Sequence, residues 1–201
     1  MIYIDCKQGT DEWLEARRGI PTASEFSKII TPRTGKLSAS TDKYIAELIA
    51  ETVEPDHDFQ GNYWTERGLA LEPEARAWYE FQTDNTVNEV GMVLLDDRSA
   101  GVSPDGLINS DGMLEIKSPK PSTHVLWWLR GVLPDEHKPQ CHAALQIAER
   151  QWLDFVSYCP RFRPLLVRIT PDEYTVKVAA ALAEFTERLD AAKSRIFAEA
   201  A

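Results

Sequence analysis

The sequence predicts an α/β (α+β) fold in which a central mixed β-sheet is flanked by helices. Segments with helical periodicity occupy both ends of the chain, and a run of short apolar segments lies between them. The predicted order is helices, several strands, two helices, two strands and a final helix. With 201 residues, 43% of them hydrophobic, the chain is long enough to bury a core. No repeat or linker divides it, so residues 1–201 are expected to form a single domain.

Three helices are predicted before residue 54. Thr10 can cap the first, and Gly19 ends it. The second begins at Thr22–Glu25, which has the form of a capping box, and continues through Ile30. The third covers residues 40–53 and is followed by a polar connection at 55–61.

A longer helix is predicted over Trp64–Phe81, with a kink or irregularity near Gly68 and Pro73. Its apolar residues expected to face the core are Leu69, Leu71, Ala75, Trp78 and Tyr79.

Residues 86–89, 91–96 and 100–102 predict a meander of strands that leads into Asp105. Asp111-Gly112 is a hairpin-turn sequence, and it returns the chain as a strand over residues 113–118.

The last third of the chain predicts alternating helices and strands. One helix is capped by Ser122 and ends near Leu129, and another covers Pro134–Arg150. Strands follow at Trp152–Tyr158 and Leu165–Ile169, before a final helix that starts near Pro171.

Composition narrows the class of protein. No apolar run approaches the length of a membrane span, and residues 1–5 do not resemble a signal peptide, so a cytoplasmic protein without a membrane partner is expected. Cys6, Cys141 and Cys159 are scattered, which argues against a disulfide framework or a cysteine-ligated metal. His137, Cys141 and His142 lie close in sequence, but a partly buried helix face explains them better than zinc.

The formal net charge of −10 argues against a nucleic-acid-binding protein. Net charge is a sum, however, and binding depends on where the basic residues lie. Basic residues cluster at 17–18, 33–36 and 117–120, so a nucleic-acid partner is not excluded.

The candidate catalytic residues lie on or beside the predicted hairpin. Glu115 and Lys117 lie two apart on a strand and therefore share one face, while Ile116 points to the other. Asp105 precedes the hairpin. Two carboxylates that share Mg²⁺ or Mn²⁺, with an ammonium beside them, suit metal-assisted phosphodiester hydrolysis. Glu72 would add a third anionic ligand if it were drawn into the site.

Both parts of this site have simpler interpretations. The hairpin could be a surface hairpin with a solvated Glu–Lys pair, and a single helical glutamate such as Glu72 is usually a surface group. Arg17 and Ser24 lie near a predicted helix N-terminus, where a phosphate could bind, but two ordinary capped helices would give the same pattern. Arg33 belongs to a basic turn that could contact a nucleic-acid strand or solvent.

Ser103-Pro104-Asp105-Gly106 followed by Leu114-Glu115-Ile116-Lys117 resembles the signature of the restriction-endonuclease-like (PD-(D/E)xK) nuclease superfamily. More narrowly, the chain resembles the phage lambda exonuclease and YqaJ-type viral recombinase family. Further sequence segments that carry this resemblance are Trp13 with 17–24, residues 32–36, Gly68 with Glu72, and the helix that contains Gln140.

The resemblance implies a restriction-endonuclease-like fold and a Mg²⁺-dependent 5′–3′ exonuclease that acts on linear double-stranded DNA. Such an enzyme releases 5′-mononucleotides and leaves 3′ overhangs for recombination by strand annealing. It also implies a homotrimeric ring and a single-strand annealing protein as partner. The implied catalytic residues are Asp105, Glu115, Lys117 and Glu72. The implied metal ligands are Asp105, Glu115, Glu72 and the Ile116 carbonyl. The residues matched to the 5′-phosphate and DNA are Arg17, Ser24, Ser103, Gln140 and Arg33.

Two other functions remain open at the level of sequence. An endonuclease or repair nuclease of the same fold would use the same hairpin, but it would not need a pocket for a terminal phosphate. A non-catalytic DNA-binding module would not need Asp105, Glu115 and Lys117 to be intact.

Overall fold

The computed structural model describes residues 1–54 and 63–198. The predicted polar connection at 55–61 lies outside these residues. The strands are β1 (Ile2–Ile4), β2 (Val87–Asn88), β3 (Met92–Leu94), β4 (Gly101–Val102), β5 (Gly106–Ile108), β6 (Gly112–Lys117), β7 (Trp152–Ser157) and β8 (Leu165–Ile169). The α-helices are α1 (Asp11–Arg17), α2 (Thr41–Val53), α3 (Tyr63–Thr83), α4 (Pro121–Arg130), α5 (Lys138–Ile147) and α6 (Glu173–Ala198). Two 3₁₀ helices cover Ala23–Lys28 and Asp135–His137.

The central sheet is mixed, as predicted, and has the strand order β2-β5-β6-β7-β8. Strands β6 and β7 are parallel, with Gly112 opposite Trp152 and Lys117 opposite Ser157, and the other neighbours are antiparallel. The predicted hairpin is confirmed: β5 pairs with β6 around the turn that contains Asp111. The two parallel strands therefore end at the same edge of the sheet.

The predicted meander over residues 86–102 is wrong, because its strands belong to two sheets. Strand β2 pairs with β5 in the central sheet, whereas β3 and β4 form a separate three-stranded sheet with β1. Each of these strands has two or three residues. Alternation over so few residues identifies a strand but cannot select its partner.

The two faces of β6 are covered by different helices. Leu114 and Ile116 pack in an apolar cluster with Ala75 and Tyr79 of α3. Met113 belongs to a larger cluster that includes the buried residues of α5. Because side chains alternate along a strand, Glu115 and Lys117 project to the same face as Met113, toward α5.

The segment after Gly19 differs from its prediction. Residues Ala23–Lys28 form a 3₁₀ helix rather than an α-helix reaching Ile30, and the Thr22 side chain makes no capping hydrogen bond. The Thr22 hydroxyl instead contacts Arg17 Nη2 at 3.2 Å and the Ser24 hydroxyl at 3.3 Å. A capping box needs that hydroxyl for the helix, so the competing contacts explain the difference.

Helix α3 is continuous from Tyr63 to Thr83, with Pro73 inside it. Ala75 and Tyr79 are fully buried, as predicted, but Leu69 is 64% exposed and does not reach the core. The Tyr79 hydroxyl donates to Asp154 Oδ2 at 2.7 Å, where Arg168 also forms two hydrogen bonds of 2.8 Å with the carboxylate. This buried contact ties α3 to β7 and β8.

The ends of α4 and α5 also differ from the predictions. Helix α4 begins at Pro121, directly after Lys120, so Ser122 lies inside it and is not its cap. Helix α5 ends at Ile147, and the Arg150 amide donates to the Leu145 carbonyl. That hydrogen bond needs a left-handed residue before Arg150, and Glu149 provides it with a φ of 49°. This helix end could not be predicted from sequence, because glycine usually occupies the left-handed position.

Two glycine substitutions should have opposite effects on stability. A Cβ added to Gly106 would lie 2.0 Å from Val87 Cγ1, a stiff β-branched side chain, whereas nothing lies within 4 Å of one added to Gly68. We expect Gly106→Ala to lower the free energy of unfolding by about 1–3 kcal/mol. Gly68→Ala, within α3, should raise it by about 1 kcal/mol. Urea unfolding of both variants measures these changes. Equal free energies of unfolding for Gly106→Ala and the wild type would contradict the β2–β5 pairing.

Candidate functional site

Asp105, Glu115 and Lys117 come together where β5 and β6 meet. The Asp105 amide donates to the Leu114 carbonyl at 3.2 Å, and the Ile116 amide donates to Asp105 Oδ2 at 2.5 Å. Asp105 is therefore fixed against β6 by its backbone and its side chain. Glu115 is 2% exposed, so the alternative of a solvated surface hairpin is wrong.

One oxygen of the Glu115 carboxylate contacts both a cationic and an amide side chain. Lys117 Nζ lies 2.5 Å from Glu115 Oε1, and Gln140 Nε2 donates to the same oxygen at 2.6 Å. Gln140, which the resemblance assigns to the terminal phosphate, thus contacts the carboxylate cluster from α5. A buried carboxylate needs such partners because its desolvation is costly.

The charges in this cluster are strongly coupled. Burial raises the pKa of the Asp105 carboxyl well above its usual range, and the nearby carboxylates of Glu115 and Glu72 raise it further. Burial opposes the charge of Lys117, but the Glu115 and Asp105 carboxylates outweigh it and raise the pKa of Lys117. Lys117 is therefore an ammonium in this state, suited to stabilising negative charge rather than to accepting a proton.

Glu72 approaches the cluster from α3 but is held elsewhere. Its carboxylate pairs with Arg76 at 2.6 Å, and Arg76 also contacts Glu89 at 2.6 Å. Burial raises the pKa of Glu72, and Glu115 and Glu89 contribute to that rise while Arg76 opposes it. Glu72 thus acts on the cluster through its charge, and its role as a metal ligand stays a prediction.

The donor set fits a hard divalent cation held by few protein ligands. Within residues 1–54 and 63–198, no three His, Cys, Asp or Glu side chains converge as a complete metal site. In that same part of the chain, one oxygen of Asp105 and one of Glu115 accept no hydrogen bond. Mg²⁺ typically binds one or two carboxylates and keeps several waters, so Asp105 and Glu115 with the Ile116 carbonyl suit it.

Four residues near the start of the chain form one polar network with Ser103. Trp13 Nε1 donates to Ser103 Oγ at 2.7 Å, and the Arg17 guanidinium lies over the Trp13 ring at 4.3 Å. Arg17 also contacts the Thr22 hydroxyl, which reaches the exposed Ser24. Arg17, Ser24 and Ser103 are therefore linked through one network. We call these three residues the anion pocket, and their binding of a phosphate stays a prediction.

Two members of this network were not predicted as site residues. Trp13 carries part of the family resemblance without a predicted role, and Thr22 is predicted as a helix cap. A tryptophan one helical turn before an arginine is compatible with stacking, but the sequence did not indicate that its N–H would contact Ser103.

Arg33 lies apart from both groups. It is 84% exposed, and its Nε donates to Asp135 Oδ2 at 2.9 Å, in the 3₁₀ helix that precedes α5. Its predicted role in contacting DNA stays a prediction.

Comparison with known proteins agrees with this arrangement. The model of the YqaJ-like viral recombinase domain matches residues 12–151. The chain belongs to the YqaJ-like viral recombinase family. A search of curated protein sequences found no match.

Solved structures extend the likeness to nearly the whole chain. The alkaline exonuclease LHK-Exo from Laribacter hongkongensis is 35% identical, with a TM-score of 0.77 over 96% of this chain and 100% of that one. LHK-Exo in complex with dAMP aligns with 32% identity and a TM-score of 0.83, again over 96% of this chain and 100% of that one. The chain is thus a member of a nuclease family, and DNA is the substrate class of that family.

A more distant structure shows the fold alone. The phage-related exonuclease from Haemophilus somnus 129PT is 12% identical, with a TM-score of 0.67 over 90% of this chain and 96% of that one. The predicted nuclease fold, with its mixed sheet and flanking helices, is therefore confirmed. None of the helices in the described residues has the length and apolarity that a membrane crossing requires.

Asp105→Asn should stabilise the protein in the absence of metal. The pKa of Asp105 is raised, so its charge destabilises the folded state above that pKa, and the cost disappears as pH falls through it. Asparagine keeps an oxygen for the Ile116 amide and removes the charge. We expect the melting temperature at pH 8 in EDTA to rise by a few degrees, since about 1 kcal/mol corresponds to roughly 2–4 °C at this size. The difference should shrink as the pH is lowered.

The exposed Asp190 provides the control, because Asp190→Asn should leave the melting temperature unchanged. Added Mg²⁺ should stabilise the wild type but not Asp105→Asn. A lower melting temperature for Asp105→Asn in EDTA would contradict the inferred repulsion.

Proposed function

We propose that this protein is a Mg²⁺-dependent 5′–3′ exonuclease of linear double-stranded DNA. The proposal rests on one observation: only Pro104 separates Ser103, which belongs to the anion pocket, from Asp105, which belongs to the carboxylate cluster. Ser103 contacts Trp13 in the anion pocket, and Asp105 contacts β6 in the carboxylate cluster. A terminal phosphate bound in the pocket would therefore lie at a short, fixed distance from the metal ligands.

The residues divide into those that hold a cation and those that position or stabilise charge. Asp105, Glu115 and the Ile116 carbonyl would hold Mg²⁺ or Mn²⁺. When bound, such an ion supplies activation of water and neutralises charge on the phosphate. Lys117 would then stabilise negative charge that builds on the phosphate oxygens, and Gln140 keeps Glu115 oriented.

The pocket favours an exonuclease over the alternative of an endonuclease or repair nuclease. Arg17, Ser24 and Ser103 offer an arginine and two hydroxyls, which suit a phosphate monoester at a strand end. An endonuclease has no terminal phosphate to bind. The dAMP in the related LHK-Exo structure supports release of 5′-mononucleotides. The intact catalytic set disfavours a non-catalytic DNA-binding module.

Further features of the proposal rest on the family. We expect 3′ overhangs as products, a single-strand annealing protein as partner, and a homotrimeric ring. Helix α4 and the turn after it support a contact with protein, because they expose apolar side chains in one stretch: Leu126, Trp128, Leu129 and Val132.

Digestion of matched DNA substrates tests the function. With Mg²⁺, the wild type should digest 5′-phosphorylated linear duplex and leave covalently closed circular duplex intact, and EDTA should stop digestion. Lys117→Met should lower the rate by roughly 10²–10³, because a preorganised charge opposite the reacting phosphate is lost. Asp190→Asn should digest at the wild-type rate. Cleavage of the circle would contradict an exonuclease, and inactivity on both substrates would favour a binding module.

Adjacent arginines allow a matched test of the pocket. Arg17 points to Trp13 and Thr22, whereas Arg18 pairs with Glu15 at 2.7 Å on the surface. We expect Arg17→Gln to reduce the preference for 5′-phosphorylated over 5′-hydroxyl ends by about tenfold or more, since charge-assisted hydrogen bonds to the phosphate are lost. Arg18→Gln should keep the wild-type ratio. An unchanged ratio for Arg17→Gln would remove this residue from the pocket.

A further inference from the structure

A group of exposed basic residues lies at the edge of the sheet beside Lys117. Lys120 follows β6, and Arg161 and Arg163 follow β7. Because β6 and β7 are parallel, both connections leave the sheet at the same edge, and the Tyr158 amide donates to the Lys117 carbonyl at 2.8 Å. We call Lys120, Arg161 and Arg163 the basic ledge. It lies next to β6, the strand that carries Glu115 and Lys117.

The connections that carry the basic ledge are held in place by polar contacts with α3 and α4. Arg67 of α3 donates to the carbonyls of Ser118 and Pro119 at 3.1 Å each, which fixes the chain just before Lys120. His124 of α4 is 1% exposed and contacts the Arg163 carbonyl at 3.1 Å and the Ser157 hydroxyl at 2.8 Å. Since a carbonyl can only accept, His124 Nε2 carries the proton and Nδ1 accepts from Ser157.

A turn fixes the direction of the β7 connection. The Phe162 amide donates to the Cys159 carbonyl at 3.1 Å, with Pro160 at the second position of the turn. Arg161 occupies the third position with a φ of 71°, the conformation of a type II turn that glycine usually adopts. The chain thus places an exposed arginine at a position where glycine would be less strained.

The charge of the basic ledge is not neutralised by neighbours. Within the part of the chain that the structure describes, Lys120, Arg161 and Arg163 form no ion pair. The connections 118–120 and 158–164 contain no acidic residue. Glu74 contacts the second connection by accepting a hydrogen bond from Tyr158 at 2.6 Å, and among the described residues it pairs with none of the three basic side chains. Three free cations in a chain of net charge −10 form a local positive surface.

The strand order sets the position of the basic ledge relative to the pocket. Ser103 lies before β5 on one side of β6, and the β7 connection lies on the other side. The pocket and the ledge therefore flank the carboxylate cluster along one edge of the sheet. A DNA strand whose 5′ end occupied the pocket would pass the cluster and reach the ledge beyond the cut.

We propose that the basic ledge binds the phosphate backbone of duplex DNA on the 3′ side of the scissile bond. This inference rests on the proposed function, because it takes the pocket as the site of the 5′ end. The ledge would hold the duplex that is still to be digested, without reading its sequence, as expected for contacts to phosphates.

Salt-dependent DNA binding tests the basic ledge. The Arg161→Gln/Arg163→Gln double variant is compared with Arg98→Gln/Arg195→Gln, which removes two exposed arginines elsewhere; Arg98 also has a positive φ, of 58°. Binding of a labelled 5′-phosphorylated duplex is measured in EDTA, where no digestion occurs, over a range of salt concentrations. Each lost duplex phosphate contact should reduce the slope of log K against log salt by about 0.9. We expect a reduction of about 1.8 for the ledge variant and none for the control.

A second binding experiment uses a duplex with neutral methylphosphonate linkages just 3′ of the scissile bond, which removes the charges that the ledge is proposed to contact. On this duplex the ledge variant and the wild type should bind alike. An unchanged slope for the ledge variant on ordinary duplex would overturn the proposal, as would a reduced slope on single-stranded DNA alone.

The two proposals can fail separately. If the wild type fails to digest linear duplex in Mg²⁺ while the ledge variant shows the reduced slope, the proposed exonuclease activity is wrong and the proposed duplex binding by the basic ledge is supported. If the wild type digests from the 5′ end and the salt slope of the ledge variant is unchanged, the proposed duplex binding by the basic ledge is wrong and the proposed exonuclease activity is supported. Identical thermal melting of both double variants and the wild type confirms that they are folded.

Discussion

The buried carboxylate of Glu115 is the constraint on which the rest of the structure depends. An ionised group that is 2% exposed must be compensated, and the compensation comes from Lys117 on the same strand and Gln140 on α5. Asp105 adds a second carboxylate nearby, which the Ile116 amide fixes in place. The cluster therefore stores repulsion that a bound cation would relieve. This cost to stability is expected where function requires converging charges of one sign.

The fold connects two groups of predicted site residues through one short segment. The pocket draws on α1 and the 3₁₀ helix, while the carboxylates lie on the central sheet, and residues 103–105 connect them between β4 and β5. Helix α1 has no buried residue, so its position depends on polar contacts such as the one from Trp13 to Ser103. Gln8 adds another, with its amide donating to the Pro104 carbonyl at 3.0 Å. The same short segment thus carries both the contacts to Trp13 and Gln8 and the carboxylate of Asp105.

Local sequence patterns predicted the β5–β6 hairpin, strand β6 and most helices, because turn residues and periodicity act over a few neighbours. They did not predict the division of residues 87–102 between two sheets, which depends on pairing with β1 near the start of the chain. The end of α5 was also missed, since Glu149 adopts a conformation that composition assigns to glycine. The contacts of Trp13 and Gln140 depend on partners 90 and 25 residues away. Resemblance identified these segments as important, but only the fold shows what they touch.

The distribution of charge resolves the conflict between an acidic chain and an anionic substrate. Many basic side chains are neutralised by internal carboxylates: Lys28 by Glu25 and Glu47, Arg76 by Glu72 and Glu89, and Arg168 by Asp154. The acidic excess therefore says little about the edge where β6 and β7 end. There, carboxylates are concentrated at the point where a cation would bind, and unpaired basic residues lie to the side. Nucleic acid responds to this local field within about a Debye length, roughly 10 Å at 0.1 M salt, rather than to the net charge of the molecule.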